Sequence, residues 1–233
     1  MRSKLVVLTG AGISAESGLS TFRDAGGLWD GYNVYDVASI DGWNRDPEKV
    51  LEFYNLRRSQ AFSASPNEAH LALAEAEQIL DVSVITQNVD QLHERAGSSQ
   101  VIHLHGELSK ARSSVHEHLV YEIGERSIHM GDKAEDGSQL RPHIVWFGEA
   151  VPMMDIAIQE IMNADALLVI GTSLTVYPAA GLIDFAEGIP KCIVDTGSHM
   201  PVSEDTTWNH IQKSAAVGTK EALQFLFSCL NVN

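Results

Sequence analysis

The run Lys4-Leu5-Val6-Val7-Leu8 passes almost directly into Gly10-Ala11-Gly12, and no other stretch constrains the fold as strongly. Aliphatic residues without polar alternation mark a strand buried on both faces, as in a parallel sheet. Glycines just past its end let the backbone approach a ligand without a Cβ clash. The spacing Gly10-x-Gly12-x-x-Ala15 fits the dinucleotide-binding fingerprint in its Gly/Ala form. A helix is expected behind these glycines, with its N-terminal N–H groups and positive dipole end turned to a phosphate. One departure stands out. An ordinary unit of this kind has a second strand ending in Asp or Glu about 20 residues later, for the ribose. Here that interval reads FRDAGGLWDGYNVYD, which is no buried strand.

Further apolar runs lie at 82–85, 101–103, 144–147, 166–170 and 191–194. Helix-type segments at 67–79, 90–96, 153–164, 179–187 and 219–230 separate most of them. This alternation predicts an α/β chain: a Rossmann-like, doubly wound parallel sheet covered on both faces. Two stretches break the rhythm. Residues 24–64 carry a Gly-rich loop and a helix at 47–62, read as part of a small lobe. Residues 108–142 are polar and charged, and read as an inserted module. With 44% hydrophobic and 20% charged residues, 233 residues suit one globular domain, or one large domain carrying such a small insertion.

A net charge of −15 argues against a basic nucleic-acid surface and suits cationic partners. Cys192 and Cys229 form neither a CxxC pair nor a disulfide framework. No apolar run is long enough for a membrane span, and the start lacks a signal-peptide pattern. These features lead us to expect a cytoplasmic, reduced protein with no membrane partner.

Polar clusters follow three of the apolar runs: Thr86-Gln87-Asn88-Val89-Asp90, His103-Leu104-His105-Gly106-Glu107 and Gly171-Thr172-Ser173. Ligands of open α/β sheets bind beyond the carboxyl ends of the strands, so these clusters and Gly10 to Ser14 are expected to share one crevice. In the helix at 47–62, Val50, Tyr54, Arg57 and Ala61 fall on one face. An arginine on that stripe needs an anion or must reach solvent. Arg58 faces about 100° away.

Together with Ala15-Glu16-Ser17-Gly18, Thr21-Phe22-Arg23 and Val145-Trp146-Phe147-Gly148-Glu149, these motifs resemble the sirtuin family in content and order. The resemblance is to bacterial members of the branch that contains demalonylases and desuccinylases. It implies NAD-dependent removal of acyl groups from the lysines of partner proteins, giving nicotinamide and O-acyl-ADP-ribose. The implied catalytic residues are His105 as general base, with Asn88 and Asp90. The cofactor-binding set is Gly10, Ala11, Gly12, Ser14, Glu16, Phe22, Arg23, Gln87, Asn88, Asp90, Gly171, Thr172, Ser173 and Asp195. Asp90 could equally cap a helix starting near Gln91. Thr196 stands where the family commonly has Asn. Residues 145–149 would pair their backbone with the substrate peptide, and Tyr54 and Arg57 would hold the carboxylate of an acidic acyl group.

Most of the family carries a zinc ribbon of four cysteines where this chain has 108–142 without any. Ser113, Lys133 and Asp136 look like replacements for cysteines, so no zinc is expected. His116, His118, His129 and Asp132 could build another metal site, but at the spacing of no standard zinc motif. The module is then expected to rest on Val115, Leu119, Tyr121, Ile123, Ile128 and Leu140. Two other readings compete. One is an NAD-dependent mono-ADP-ribosyltransferase or NAD glycohydrolase, and the other is a silent NAD-binding scaffold.

Overall fold

A computed structural model describes residues 2–21, 28–29, 31–197 and 208–232. The first apolar run forms β1 (Lys4–Thr9). The helix expected behind its glycines is replaced by two 3-10 turns, Ala11–Ile13 and Ala15–Ser17, which end at Gly18 in the left-handed region. A two-stranded ribbon, β2 (Leu28–Trp29) and β3 (Tyr32–Asn33), leads into α1 (Val34–Val37), α2 (Ile40–Arg45) and α3 (Pro47–Ser63). Asp46 and Pro47 explain where α3 starts. The Asp46 side chain accepts the Lys49 N–H at 3.1 Å, and proline fits the first helical turn. Asn67 starts α4 (Glu68–Ala76) through a capping box with His70.

The chain continues through β4 (Asp81–Thr86), α5 (Leu92–Ala96) and β5 (Val101–His103). Next come β6 (Gly106–Ser113), β7 (Val120–Glu122) and β8 (Leu140–Ile144), an antiparallel sheet of order β7-β6-β8. Then α6 (Met154–Met162), β9 (Ala166–Ile170), β10 (Lys191–Val194), β11 (Trp208–Ile211) and α7 (Ala215–Leu230) complete the chain. Two expectations need correcting. The run at 144–147 is no strand of the parallel sheet: Ile144 closes β8, and Pro142 is tolerated there because β8 is an edge. The segment expected as a helix at 179–187 is a 3-10 helix, Ala179–Phe185.

The main sheet has the order β11-β10-β9-β1-β4-β5, and all its pairs are parallel. From β1 the chain builds outward to β5, then returns to lay β9 against the other side of β1. That reversal opens a crevice at the carboxyl ends of β1 and β9. The aliphatic runs follow from the layering. Leu5 and Val7 pack with Leu73 of α4 and Leu226 of α7, whereas Val6 and Leu8 pack with Ile161 of α6 and Leu182. Each strand thus feeds two cores at once.

A third core joins Val50, Phe53 and Tyr54 of α3 to Leu108, Ile144 and Trp146. A fourth joins Leu51 to Ala111, Ile128, Ala134 and Leu140, with Tyr121 and Ile123 packed against it. Of the contacts expected inside 108–142, Val115 is instead exposed and Leu119 lies outside this cluster. Arg58 is fully buried and joins α3 to the module. Its Nε–H donates to the Leu108 carbonyl at 2.6 Å and Nη1 to Asn55 Oδ1 at 2.7 Å. Burial pulls its pKa down to about 10, which leaves it charged at neutral pH.

Candidate active site

A cleft of about 560 Å³ lies between the carboxyl ends of the sheet and the α3 lobe. That volume is within the range of small-molecule sites. The loops after β1 and β9 form its floor. A Cβ on Gly10 would sit 2.7 Å from Thr172 Cβ, and one on Gly12 would sit 2.7 Å from Gly171 Cα. Gly12 N–H donates to the Gly171 carbonyl at 2.8 Å, and Gly171 itself has φ +62°. The fingerprint glycines therefore allow two backbone loops to touch, and this contact shapes the floor. Their role is not limited to admitting a ligand.

Above the floor runs a directional chain of side chains. Asn88 Nδ2–H donates to the Gly10 carbonyl at 3.2 Å and to Ser14 Oγ at 3.1 Å. Ser14 in turn donates to Asp90 Oδ2 at 3.1 Å. The other oxygen of Asp90 accepts the Leu92 N–H at 3.1 Å, so Asp90 also caps α5. Burial pushes the Asp90 carboxyl above its ordinary range, against those two hydrogen bonds. Gln87 Nε2 reaches Thr172 Oγ1 at 3.0 Å. Beside them His105 places Nδ1 3.0 Å from the Gln87 carbonyl. A carbonyl oxygen can only accept, so Nδ1 carries the proton and Nε2 keeps its lone pair. Burial holds the His105 pKa below the ordinary histidine value despite that bond. The result is a neutral imidazole with a fixed tautomer, lining the cleft.

At the sheet's outer end, Ser173 Oγ meets Thr175 Oγ1 at 2.7 Å, and Asp195 accepts the Gly197 N–H at 2.7 Å. Ala11, Asp195 and Thr196 line the same cleft. Glu16 lines it too, but its carboxylate takes Ser214 Oγ–H at 3.0 Å and Ala216 N–H at 2.8 Å. Glu16 thereby caps α7. Phe22 and Arg23 lie outside the described residues.

The opposite wall is built by α3. Tyr54 and Arg57 line the cleft, as their shared helical face predicts. Trp146 Nε1–H donates to the Tyr54 oxygen at 3.1 Å. The phenol's own proton is therefore directed to another acceptor. Burial raises the Tyr54 pKa well above the usual value, so the group stays a neutral donor. The Arg57 guanidinium lies 4.9 Å from the centroid of the Trp29 ring and meets Gln60 at 3.5 Å.

Residues 145–149 border the cleft, and most of their N–H groups are bound within the chain. Val145 N–H binds the His105 carbonyl, Phe147 N–H the Ala38 carbonyl and Glu149 N–H the Trp146 carbonyl. Trp146 N–H donates to Glu149 Oε2 at 2.8 Å. Glu149 is gripped by Arg141 through both oxygens, at 2.8 and 3.0 Å, and by Arg112 at 2.8 Å. The Arg141 guanidinium carbon lies 3.3 Å from the centroid of the Trp146 ring. Glu149 thus fixes Trp146, and through it Tyr54. Sequence reasoning missed Arg112 and Arg141, because nothing local distinguishes them from solvated arginines.

In the module, Ser113 Oγ donates to Asp136 Oδ2 at 2.6 Å and accepts the N–H groups of Val115 and His116. Ser138 lies 2.8 Å from the same oxygen. The Ser113 bond holds the Asp136 carboxyl down at about 2. This donor set does not fit a zinc ion: a lysine ammonium at 133 has no lone pair, and the serine and aspartate satisfy each other. Among the described residues, no three His, Cys, Asp or Glu side chains gather as a metal cluster. Incubation with a strong chelator is expected to leave the Tm unchanged, whereas Ser113→Ala lowers it. Thermal melts with and without chelator check this, and stoichiometric zinc in tag-free protein overturns it.

The sequence model of the Sir2 family matches residues 10–178. The chain belongs to the Sir2 family. A Bacteroides thetaiotaomicron relative named NAD-dependent protein deacylase is 53% identical over 230 residues, covering 95% of this chain and 97% of that protein. A solved Sir2 homologue mutant in complex with ADP ribose superposes with a TM-score of 0.87 at 37% identity, covering 100% of this chain and 95% of that one. A Sir2 homologue–NAD complex superposes with a TM-score of 0.85 at 38% identity, covering 98% and 91%. The Sir2 fold therefore extends across the described residues.

Proposed function

We propose that this Sir2 protein removes acyl groups from protein lysines at the expense of NAD, giving nicotinamide and O-acyl-ADP-ribose. We propose further that it favours the acidic acyl groups succinyl and malonyl. The observation that carries the reading is the convergence of His105, with its fixed tautomer, and the Asn88–Ser14–Asp90 chain in one cleft. The names of the relatives and the solved NAD and ADP-ribose complexes support it.

The residues present fit NAD. Gly10, Ala11, Gly12 and Gly171 line the floor, while Thr172, Ser173 and Asp195 offer hydroxyl and carboxylate partners for a ribose. Bound there, NAD supplies an activated ribose carbon that the acyl oxygen of the substrate can attack. The chain's own groups do the rest. Asn88 and Gln87 orient the ribose and carboxamide next to Ser14 and Asp90. His105 Nε2 accepts a ribose hydroxyl proton while the Gln87 carbonyl holds its ring in place. Phe147 and Gly148 border the route of the substrate lysine. Tyr54 and Arg57 take the free carboxylate of a succinyl or malonyl group.

The test is mass spectrometry of acetyl-, malonyl- and succinyl-lysine peptides, with and without NAD. Loss of the acyl group only when NAD is present is the expected result, largest for the acidic acyl groups. Consumption of NAD with every peptide left intact points to a transferase or glycohydrolase. No consumption of NAD points to a scaffold. Either of the last two outcomes sinks the reading.

A further inference from the structure

His103 stands two residues before His105, and the function above does not use it. Its side chain is only 7% exposed. Both ring nitrogens face acceptors. Nδ1 lies 3.0 Å from the Asn88 carbonyl oxygen, and Nε2 lies 2.7 Å from Glu94 Oε1. A carbonyl oxygen has no proton to give. A neutral imidazole has a single N–H and can make one of these bonds as donor; an imidazolium makes both.

The carbonyl it grips matters. Three successive carbonyls of the catalytic segment are each held by one neighbouring stretch of chain. Gln87 is held by His105 Nδ1, Asn88 by His103 Nδ1, and Val89 by the Leu108 N–H at 2.8 Å. The first and third grips need no charge. The middle one shares its ring with a carboxylate on α5, the helix that Asp90 caps. His103 therefore joins three pieces: the end of β5, the segment carrying Asn88 and Asp90, and α5.

We propose that His103 is a positioning residue that works as an imidazolium, a charged clamp that holds the Asn88 to Asp90 segment in its reactive shape. The inference rests on the deacylase reading for its kinetic consequence but not for its structural one. The surrounding charges agree with it. Glu94 on α5, Glu107 on β6 and Asp90 on the loop all act on the ring. Lys110 on β6 pairs with Glu107 at 2.6 Å, and His93 on α5 is held neutral by deep burial. Burial alone would pull the His103 pKa down. The hydrogen bond and charge of Glu94 outweigh it, so the ring ends above the ordinary histidine value. His105, two residues on, is shifted the other way. Catalysis then needs His105 neutral and His103 charged, which holds only between the two shifted values. The acid limb of the pH profile belongs to His105. The alkaline limb belongs to His103, whose charge is lost as pH rises through its raised pKa.

Two measurements test this. Long-range nitrogen–proton NMR of the histidine-labelled full chain reads the ring directly, without substrate. Protons on both His103 nitrogens at neutral pH are expected; one unprotonated nitrogen overturns the clamp. The second is kcat/KM for NAD against pH. His103→Gln should lower the plateau by about tenfold or more, tenfold being the lower end of what a hydrogen bond to a charged group contributes. It should also erase the alkaline limb while keeping the acid limb. Glu94→Gln removes the stabilising charge and should move the alkaline limb to lower pH. An unchanged alkaline limb in either variant overturns the proposal. If the wild-type chain deacylates no peptide, the deacylase reading fails, and the NMR measurement still judges the clamp.

Discussion

Replacing His105 with alanine is expected to leave a folded protein that deacylates peptides about 10²–10⁴ times more slowly, the range that loss of a general base typically costs. The geometry makes the case stronger than the residue type alone. Nδ1 is committed to the Gln87 carbonyl at 3.0 Å, so the lone pair of Nε2 is the one left for a substrate proton. Burial lowers the ring's pKa, which keeps that lone pair free at neutral pH. The wild-type kcat/KM should therefore fall as pH drops through a value below that of ordinary histidine, and this acid limb should vanish in the variant. The structural cost is small. One partly buried hydrogen bond to a carbonyl is worth about 0.5–1.5 kcal/mol. Circular dichroism and a thermal melt establish that the fold persists. A folded His105→Ala protein with most of its activity would show that another group takes the proton.

The readable parts of the fold were those whose cause is local. β1, β4, β9 and β10 were visible because each feeds both cores, and so carries a run that is apolar throughout or broken only by Ser83 in β4. β11 was hidden: Trp-Asn-His-Ile lies at the sheet's edge, half exposed, and mixes polar with apolar residues. The run at 144–147 misled because two different demands meet there. Ile144 ends an antiparallel strand, and Trp146 packs into the α3 lobe. The convergence of the site was legible, since strand ends of a parallel sheet share one side. What each side chain does there was less so. Glu16 and Glu149 line the cleft, and their carboxylates also have structural partners: the first caps α7 and the second is held by Arg112 and Arg141. Those partners stand far away in sequence, and no spacing rule connects them. The same holds for His103, whose role depends on Glu94 and Asn88 meeting one ring.

Arg57→Met is expected to lower kcat/KM for succinyl peptides by about one to two orders of magnitude while acetyl peptides change little, since hydrogen bonds to charged groups contribute about 1.5–3 kcal/mol. Methionine keeps the length and removes the charge. Arg57 lies 7% exposed on the wall of the cleft, beside the Trp29 ring. A carboxylate entering there meets a guanidinium fork and the proton of Tyr54, which the Trp146 N–H directs away from itself. Acetyl-lysine carries no group that needs either partner, so its turnover should depend only on the floor of the cleft and on His105. Tyr54→Phe makes a useful second variant. It deletes the hydroxyl alone, and should weaken succinyl turnover less than Arg57→Met because it removes a neutral donor. The comparison must be made on kcat/KM for both peptides with the same enzyme, which cancels differences in active fraction. Equal losses on succinyl and acetyl substrates would mean that Arg57 holds the wall in shape, and the proposed preference for acidic acyl groups would fail.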